Sequence, residues 1–140
     1  MEDADAVEAQ VRASFARQLF MRHLGAELGE LGEGLCTVTC RPRGELTQQH
    51  GFVHAGAVAA IADSAAGYAA LSLMPAGSEV LTVEFKLNLL APAEGDLLIA
   101  RGRVLRAGRT LTVAEATVSA LRDAEETACA VLLSTLIRRA

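Results

Sequence analysis

Asp63 is the residue in this chain best suited to do chemistry. It lies in the stretch His50–Met74, and it is the only formally charged side chain between His54 and Glu79. Burying an unpaired carboxylate costs roughly several kcal/mol, or else raises its pKa until it is neutral. Such a group either serves structure, by bonding Thr82 or a backbone amide or by facing a solvated rim, or it is kept basic and nucleophilic beside an apolar pocket.

A second candidate precedes it. Gln48-Gln49-His50-Gly51-Phe52-Val53-His54-Ala55-Gly56 is a Gly-bearing turn that enters a helix. The first amides of a helix have no intrahelical acceptor and sit at the positive end of its dipole. A carbonyl oxygen gaining negative charge is stabilised there, as in an oxyanion hole. Gln48 adds a side-chain amide that could hold a substrate or a water, and His54 could donate to a carbonyl, cap the helix or orient the loop.

These two candidates cannot meet within one chain. Asp63 lies eight residues beyond Ala55, about 12 Å along a helix rising 1.5 Å per residue. Reacting atoms must come within about 3–3.5 Å. Two copies with antiparallel, adjacent helices could bring them together, so a working site requires a homodimer holding two sites.

The elements that must position these groups follow from periodicity. Val7, Val11, Phe15 and Leu19 recur every four residues and predict a helix over 5–19. Strands are expected over 23–31 and 35–41, joined by Gly32-Glu33-Gly34. The Ala-rich segment from Ala55 to Ser72–Met74 predicts a helix buried all round, ended by Pro75 and Gly77. Val80–Leu90 alternates without a break, with Leu81, Val83, Phe85, Leu87 and Leu89 on one side and Thr82, Glu84, Lys86 and Asn88 on the other. Strands over 96–106, 110–121 and 127–137 complete the set. The order gives an α+β fold, a mostly antiparallel sheet wrapped around one long helix. No linker or repeat interrupts it, so residues 1–140 read as one domain, with an N-terminal helix within 1–20.

Composition narrows the function. The 17 acidic against 13 basic residues give a net charge of -4, which argues against nucleic acid or an anionic membrane as the main partner. A hydrophobic content of 51% is high for a small monomer and points to a covering subunit. Cys36 and Cys40 share a strand face about 13 Å apart, beyond the roughly 7 Å that a disulfide spans. The three cysteines and three histidines have no zinc spacing, and no metal or cofactor is expected. The acidic N-terminus lacks a secretory h-region. Phe52–Met74 is long enough to span a membrane, but it is rich in Ala and Gly, and its Asp would cost about 2.5–3.5 kcal/mol on insertion. A cytoplasmic protein is expected.

The stretch Gln48–Gly67 resembles the hotdog-fold acyl-CoA thioesterases of the PaaI-like group, which takes in hydroxybenzoyl-CoA and menaquinone-pathway thioesterases. That group's pattern is Asn or Gln, two residues, Gly, two residues, His-Gly-Gly, then an acid seven residues on. Here it reads Gln48, Gly51, His54-Ala55-Gly56 and Asp63. Thr82–Ala93 and Leu105–Leu111 are also similar to the group. The resemblance implies a hotdog fold and hydrolysis of acyl-CoA or aryl-CoA thioesters to free acid and coenzyme A. It implies Asp63 as nucleophile or general base, the Ala55 amide polarising the thioester carbonyl, His54 supporting that loop, and Gly56 binding substrate. Gln48 would orient thioester or water, and Thr82 would bond the carboxylate or the water. Gly108 and Arg109, with Arg106, match a turn that meets the phosphates of coenzyme A. Homodimers pairing into tetramers are implied. One departure is Ala55, where the group has Gly: alanine keeps its N–H, but its Cβ narrows the approach and disfavours a positive φ. Two other readings share the fold, a non-catalytic acyl-CoA binder and an enoyl-CoA hydratase; the hydratase would want an Asp–His pair acting together.

Overall fold

A computed structural model describes the backbone of residues 2–139 and the side chains of 4–139. In chain order the elements are α1 (Glu2–Arg17), α2 (Leu19–Leu24), β1 (Glu27–Gly32), β2 (Leu35–Cys40), a 3-10 turn (Gly44–Leu46), α3 (Ala55–Leu71), β3 (Glu79–Leu89), β4 (Leu97–Ala107), β5 (Leu111–Arg122) and β6 (Glu125–Arg139). The six strands form one sheet in the order β1-β2-β4-β5-β6-β3, every neighbour antiparallel. α3 packs across its inner face, touching β2, β4, β5, β6 and β3.

Alanine allows that packing. Ile61, Ala62, Ala65, Ala66, Ala69 and Ala70 are fully buried. Their short side chains let the helix backbone come close to the strands, and Gly102 on β4 meets it. A Cβ at Gly102 would strike the Ala65 carbonyl and stand 2.8 Å from the Ala66 nitrogen. Cys36, Val38 and Cys40 of β2 supply the opposing apolar surface, all buried.

Three expectations from periodicity need correction. The first helix does not run on to Leu19: α1 ends at Arg17, and a separate short helix, α2, leaves Leu19 73% exposed. Val11 is fully buried and Phe15 partly so, so the apolar stripe holds only as far as Phe15. Residues 23–26 are not strand either. α2 continues to Leu24, and Gly25 closes it in the left-handed conformation at φ 73°, the usual glycine stop. In β3 the alternation is interrupted: Thr82 pairs with Leu136, but Glu84 pairs with Thr135, leaving Val83 as an extra residue. This bulge turns Thr82 onto the same face as Phe85, Leu87 and Leu89, the face that looks at α3.

The fold leaves β3 as an open edge. Leu81, Val83, Phe85 and Leu89 are each between 42% and 57% exposed on it. An eleven-residue apolar edge strand with unpaired amides is a template for another strand.

Gly102→Ala is expected to destabilise the fold by about 1–3 kcal/mol through overpacking against α3. Thermal unfolding should show a Tm several degrees lower. An unchanged Tm would mean that α3 does not sit this close to β4.

Candidate active site

The loop before α3 is held by its own backbone and by Gln48. Thr47 bridges Val53, the Gln48 amide donates to the Phe52 carbonyl at 2.9 Å, and the Gly51 amide donates to the Gln48 carbonyl at 3.0 Å. The Gln48 side-chain Oε1 accepts from the amides of His50 (2.6 Å) and Phe52 (3.3 Å). Its oxygen is therefore committed to the turn. Its Nε2 has no partner among the described residues and is free to donate.

His54 caps α3. Its Nδ1 accepts the Gly56 N–H at 2.7 Å, so a neutral imidazole carries its proton on Nε2. The same bond explains glycine at position 56, where a Cβ would stand 3.0 Å from Nδ1. The Ala57 and Val58 amides both turn back to the His54 carbonyl, at 3.0 and 3.2 Å. Of the first four amides of α3, only that of Ala55 is unbonded among the described residues. Position 55 is the first helical residue and has no positive φ. Alanine there causes no backbone strain and leaves one N–H aimed out of the helix end.

Asp63 lies two turns further on, half-buried. Thr82 Oγ1 donates to its Oδ1 at 2.7 Å, which leaves Oδ2 open. Burial raises the Asp63 pKa from 3.8, and the Thr82 hydrogen bond partly offsets that rise. The bulge in β3 makes this contact, because without it Thr82 would face away from α3.

The two halves open into different cavities. One, of about 460 Å³, is lined by Gln48, His54, Ala55, Leu89, Leu90 and Cys129 among others. The other, of about 530 Å³, contains Asp63, Thr82, Ser64, Gly67 and Tyr68. A single chain thus keeps donor and carboxylate apart, as the helical rise requires.

Arg106, Gly108 and Arg109 line neither cavity. They belong to the β4–β5 hairpin, where the Gly108 amide donates to the Leu111 carbonyl at 2.8 Å and a Cβ on Gly108 would come within 2.6 Å of that oxygen. Glycine is therefore needed there for the turn itself. The hairpin lies at the Asp63 end of the sheet, since Ala107, Thr112, Leu136 and Thr82 form one cross-strand row. Three strand spacings of about 4.8 Å separate Ala107 from Thr82. The thiols offer no rival nucleophile: all three are buried, and burial pushes Cys36 up to about 12. Among the described residues no group of His, Cys, Asp and Glu could hold a metal ion, and no helix is long and apolar enough to cross a membrane.

Periodicity missed one wall of the Asp63 cavity. Gln10, Ser14 and Gln18, spaced every four residues beside the apolar stripe of α1, all line it. The Gln18 Nε2 donates to the Tyr68 hydroxyl at 2.7 Å, Ser14 Oγ lies 3.1 Å from that hydroxyl, and Gln10 holds Ser78 and Gly77 at 2.6 and 3.1 Å. The available signal was this polar spacing together with Tyr68, the single tyrosine of the chain.

A six-stranded antiparallel sheet wrapped around a buried helix is the hotdog arrangement. Residues 50–138 match the family model described as the thioesterase superfamily. A protein of Halobacterium salinarum that carries an esterase name is 32% identical over 137 residues, covering 92% of this chain and 90% of its own length. The solved structure of a thioesterase family protein from Silicibacter pomeroyi is 51% identical, with a TM-score of 0.92 over 94% of this chain and 97% of that one. The PaaI protein of the E. coli phenylacetic acid degradation operon superposes with a TM-score of 0.87 over 98% of this chain and 96% of that one, at 20% identity, a likeness of fold. The chain belongs to the thioesterase superfamily and is a thioester hydrolase of hotdog fold.

Asp63→Asn should raise the Tm at neutral pH. With a folded pKa above its unfolded one, the native state binds more protons in the window between them, so stability falls as pH rises through that window. The Asn variant escapes this loss, and its advantage over wild type should grow as pH climbs above about 4. Thermal scans across pH check the sign, and a less stable Asn variant at neutral pH would refute it.

Proposed function

We propose that the protein hydrolyses acyl-CoA thioesters, with Asp63 of one subunit working against the Ala55 amide of its partner. The observation that carries this reading is the division of the machinery between two cavities placed at opposite ends of β3. Thr82 marks the Asp63 cavity, and Leu89 and Leu90 mark the loop cavity. Antiparallel pairing of two β3 edges about a two-fold axis near Phe85–Lys86 sets Thr82 of one copy opposite Leu89 of the other. That operation exchanges the ends of the strand and brings each Asp63 towards the partner's loop. It also covers the exposed apolar edge.

In this arrangement the thioester carbonyl oxygen takes the Ala55 N–H, strengthened by the positive end of α3. Gln48 Nε2 is a second donor at the same mouth. Asp63 Oδ2 acts on the carbonyl carbon directly or through one water, while Thr82 fixes the carboxylate by its other oxygen. The C–S bond breaks, the thiol of coenzyme A takes a proton, and water supplies the oxygen of the released acid. Burial of Asp63 makes it a stronger base than an exposed aspartate.

Arg106 and Arg109 at the Asp63 end of the sheet suit the phosphates of coenzyme A. The outer face of the sheet is charged over β4, with Arg101 paired to Glu126 at 2.8 Å and Arg103 to Glu115 at 2.6 Å. Over β3, β5 and β6 it exposes Leu81, Val83, Leu111 and Leu133 interspersed with Glu84, Lys86 and Asn88. A second dimer seated on these apolar side chains gives a tetramer.

The test is release of free thiol from a panel of short, medium, long and aromatic acyl-CoAs. Turnover is expected with wild type, rising with pH as Asp63 ionises. Asp63→Asn should lower kcat by orders of magnitude. Ala55→Pro replaces the amide hydrogen with the ring Cδ and leaves the helix start intact, because proline is accepted at the first helical position and His54, at φ -60° and ψ 140°, already has the conformation preferred before proline. It is expected to lower kcat by about 10²–10³-fold, the loss typical of one oxyanion donor, in a folded protein. A panel without thiol release, or binding without turnover, would contradict the proposal.

A further inference from the structure

We propose that Gly67 of α3 is a specificity-determining residue: the side chain it lacks leaves a methyl-sized recess in the wall of the Asp63 cavity, and that recess selects acyl groups carrying a methyl branch at its depth. The inference rests on the hydrolysis reading above and adds the substrate class. Glycine is a poor choice for a helix interior on its own account. It loses more backbone freedom on folding than any other residue, whereas alanine is the best helix former. α3 is otherwise built mainly of alanine, so glycine at position 67 breaks the pattern of its own helix.

The packing of the chain does not require it. Gly56 makes room for the His54 imidazole, and Gly102 makes room for the α3 backbone. At Gly67 the φ is not positive, and among the described residues an added Cβ would meet only Leu136 Cδ2, at 3.7 Å, an ordinary van der Waals contact. An alanine therefore fits the folded chain. Asp63, Ser64, Tyr68 and Leu71 line the cavity together with Gly67, at the spacing of one helix face. Gly67 stands in the middle of that face, and the other four all carry larger side chains. The space left there is apolar, since Leu71 stands one turn further on and Leu136 faces it, both buried. It suits hydrocarbon rather than a polar group.

A straight acyl chain passing this point leaves the recess empty and forfeits the dispersion contacts of its lining. A methyl branch fills it. Helix rise sets the depth. Gly67 lies four residues beyond Asp63, about 6 Å along α3. Three bonds of extended chain cover about 3.3–3.6 Å, so the recess lies about five bonds from the thioester carbon. A chain branched at its fifth carbon puts its methyls at that depth, and the cavity volume of about 530 Å³ holds an acyl group of that length.

The experiment compares two isomers of equal carbon number, heptanoyl-CoA and 5-methylhexanoyl-CoA, on wild type and on Gly67→Ala. Wild type is expected to have a kcat/KM about tenfold higher for the branched isomer, the discrimination that one methyl group supports in an apolar pocket. In Gly67→Ala the new methyl occupies the recess, and the ratio should fall to one or below. The variant should keep the wild-type oligomer size by gel filtration. Its Tm should be no lower than that of wild type, because alanine fits the native backbone and restricts the unfolded chain. Equal turnover of the isomers by wild type overturns the inference, as does a ratio retained in the variant. A lower Tm or a smaller oligomer also overturns it, since the glycine would then serve folding or subunit packing. Turnover without discrimination overturns this inference alone, whereas no thiol release from any acyl-CoA overturns the hydrolysis reading and this one with it.

Discussion

The rise of an α-helix governs this molecule. One rod carries both an unbonded amide, at its first residue, and a carboxylate two turns later, and about 12 Å of helix holds them apart. No side-chain rearrangement within a chain closes that gap, because Asp63 is tied to Thr82 at 2.7 Å and the amide of Ala55 is fixed by the backbone. The distance that prevents a site within one chain makes a shared one natural, since a two-fold axis turns one separation into two meeting points.

Stability and chemistry pull against each other at Asp63. The rest of α3 is apolar or small, and its alanines approach the sheet closely enough to require glycine at position 102. Placing a carboxylate on such a helix raises its pKa through burial. Thr82 reduces the penalty without removing it, and its hydroxyl reaches the carboxylate only because β3 carries an extra residue at Val83. The bulge is thus the small irregularity that links the edge strand, where a partner would pair, to the acid on the helix.

Much of this was legible in the sequence, because its strongest signals are local. A lone acid among alanines marks α3 and its special residue. Gln48, Gly51, His54 and Gly56 mark the loop, and the period of two marks β4, β5 and β6 to within about two residues. The illegible parts depend on pairing or on tertiary company. The bulge in β3 exists only relative to β6, so unbroken alternation from Val80 to Leu90 gave the wrong face for Thr82. The break at Gln18 and the glycine stop at Gly25 interrupt a segment whose apolar spacing is smooth. The polar stripe Gln10, Ser14, Gln18 looks like an ordinary solvated helix face until Tyr68 is seen opposite it. Ala55 was harder to judge from type alone than from geometry, since its φ is ordinary and its N–H survives.

Mixing two variants probes the proposed shared site most directly. Asp63→Asn keeps the Ala55 amide, and Ala55→Pro keeps the carboxylate. Unfolded together, refolded and assayed for thiol release, random pairing makes half the dimers mixed, each with one intact site of two, so about a quarter of wild-type turnover should return. If donor and acid came from the same chain, the mixture would stay as inactive as its components, and the account would be wrong.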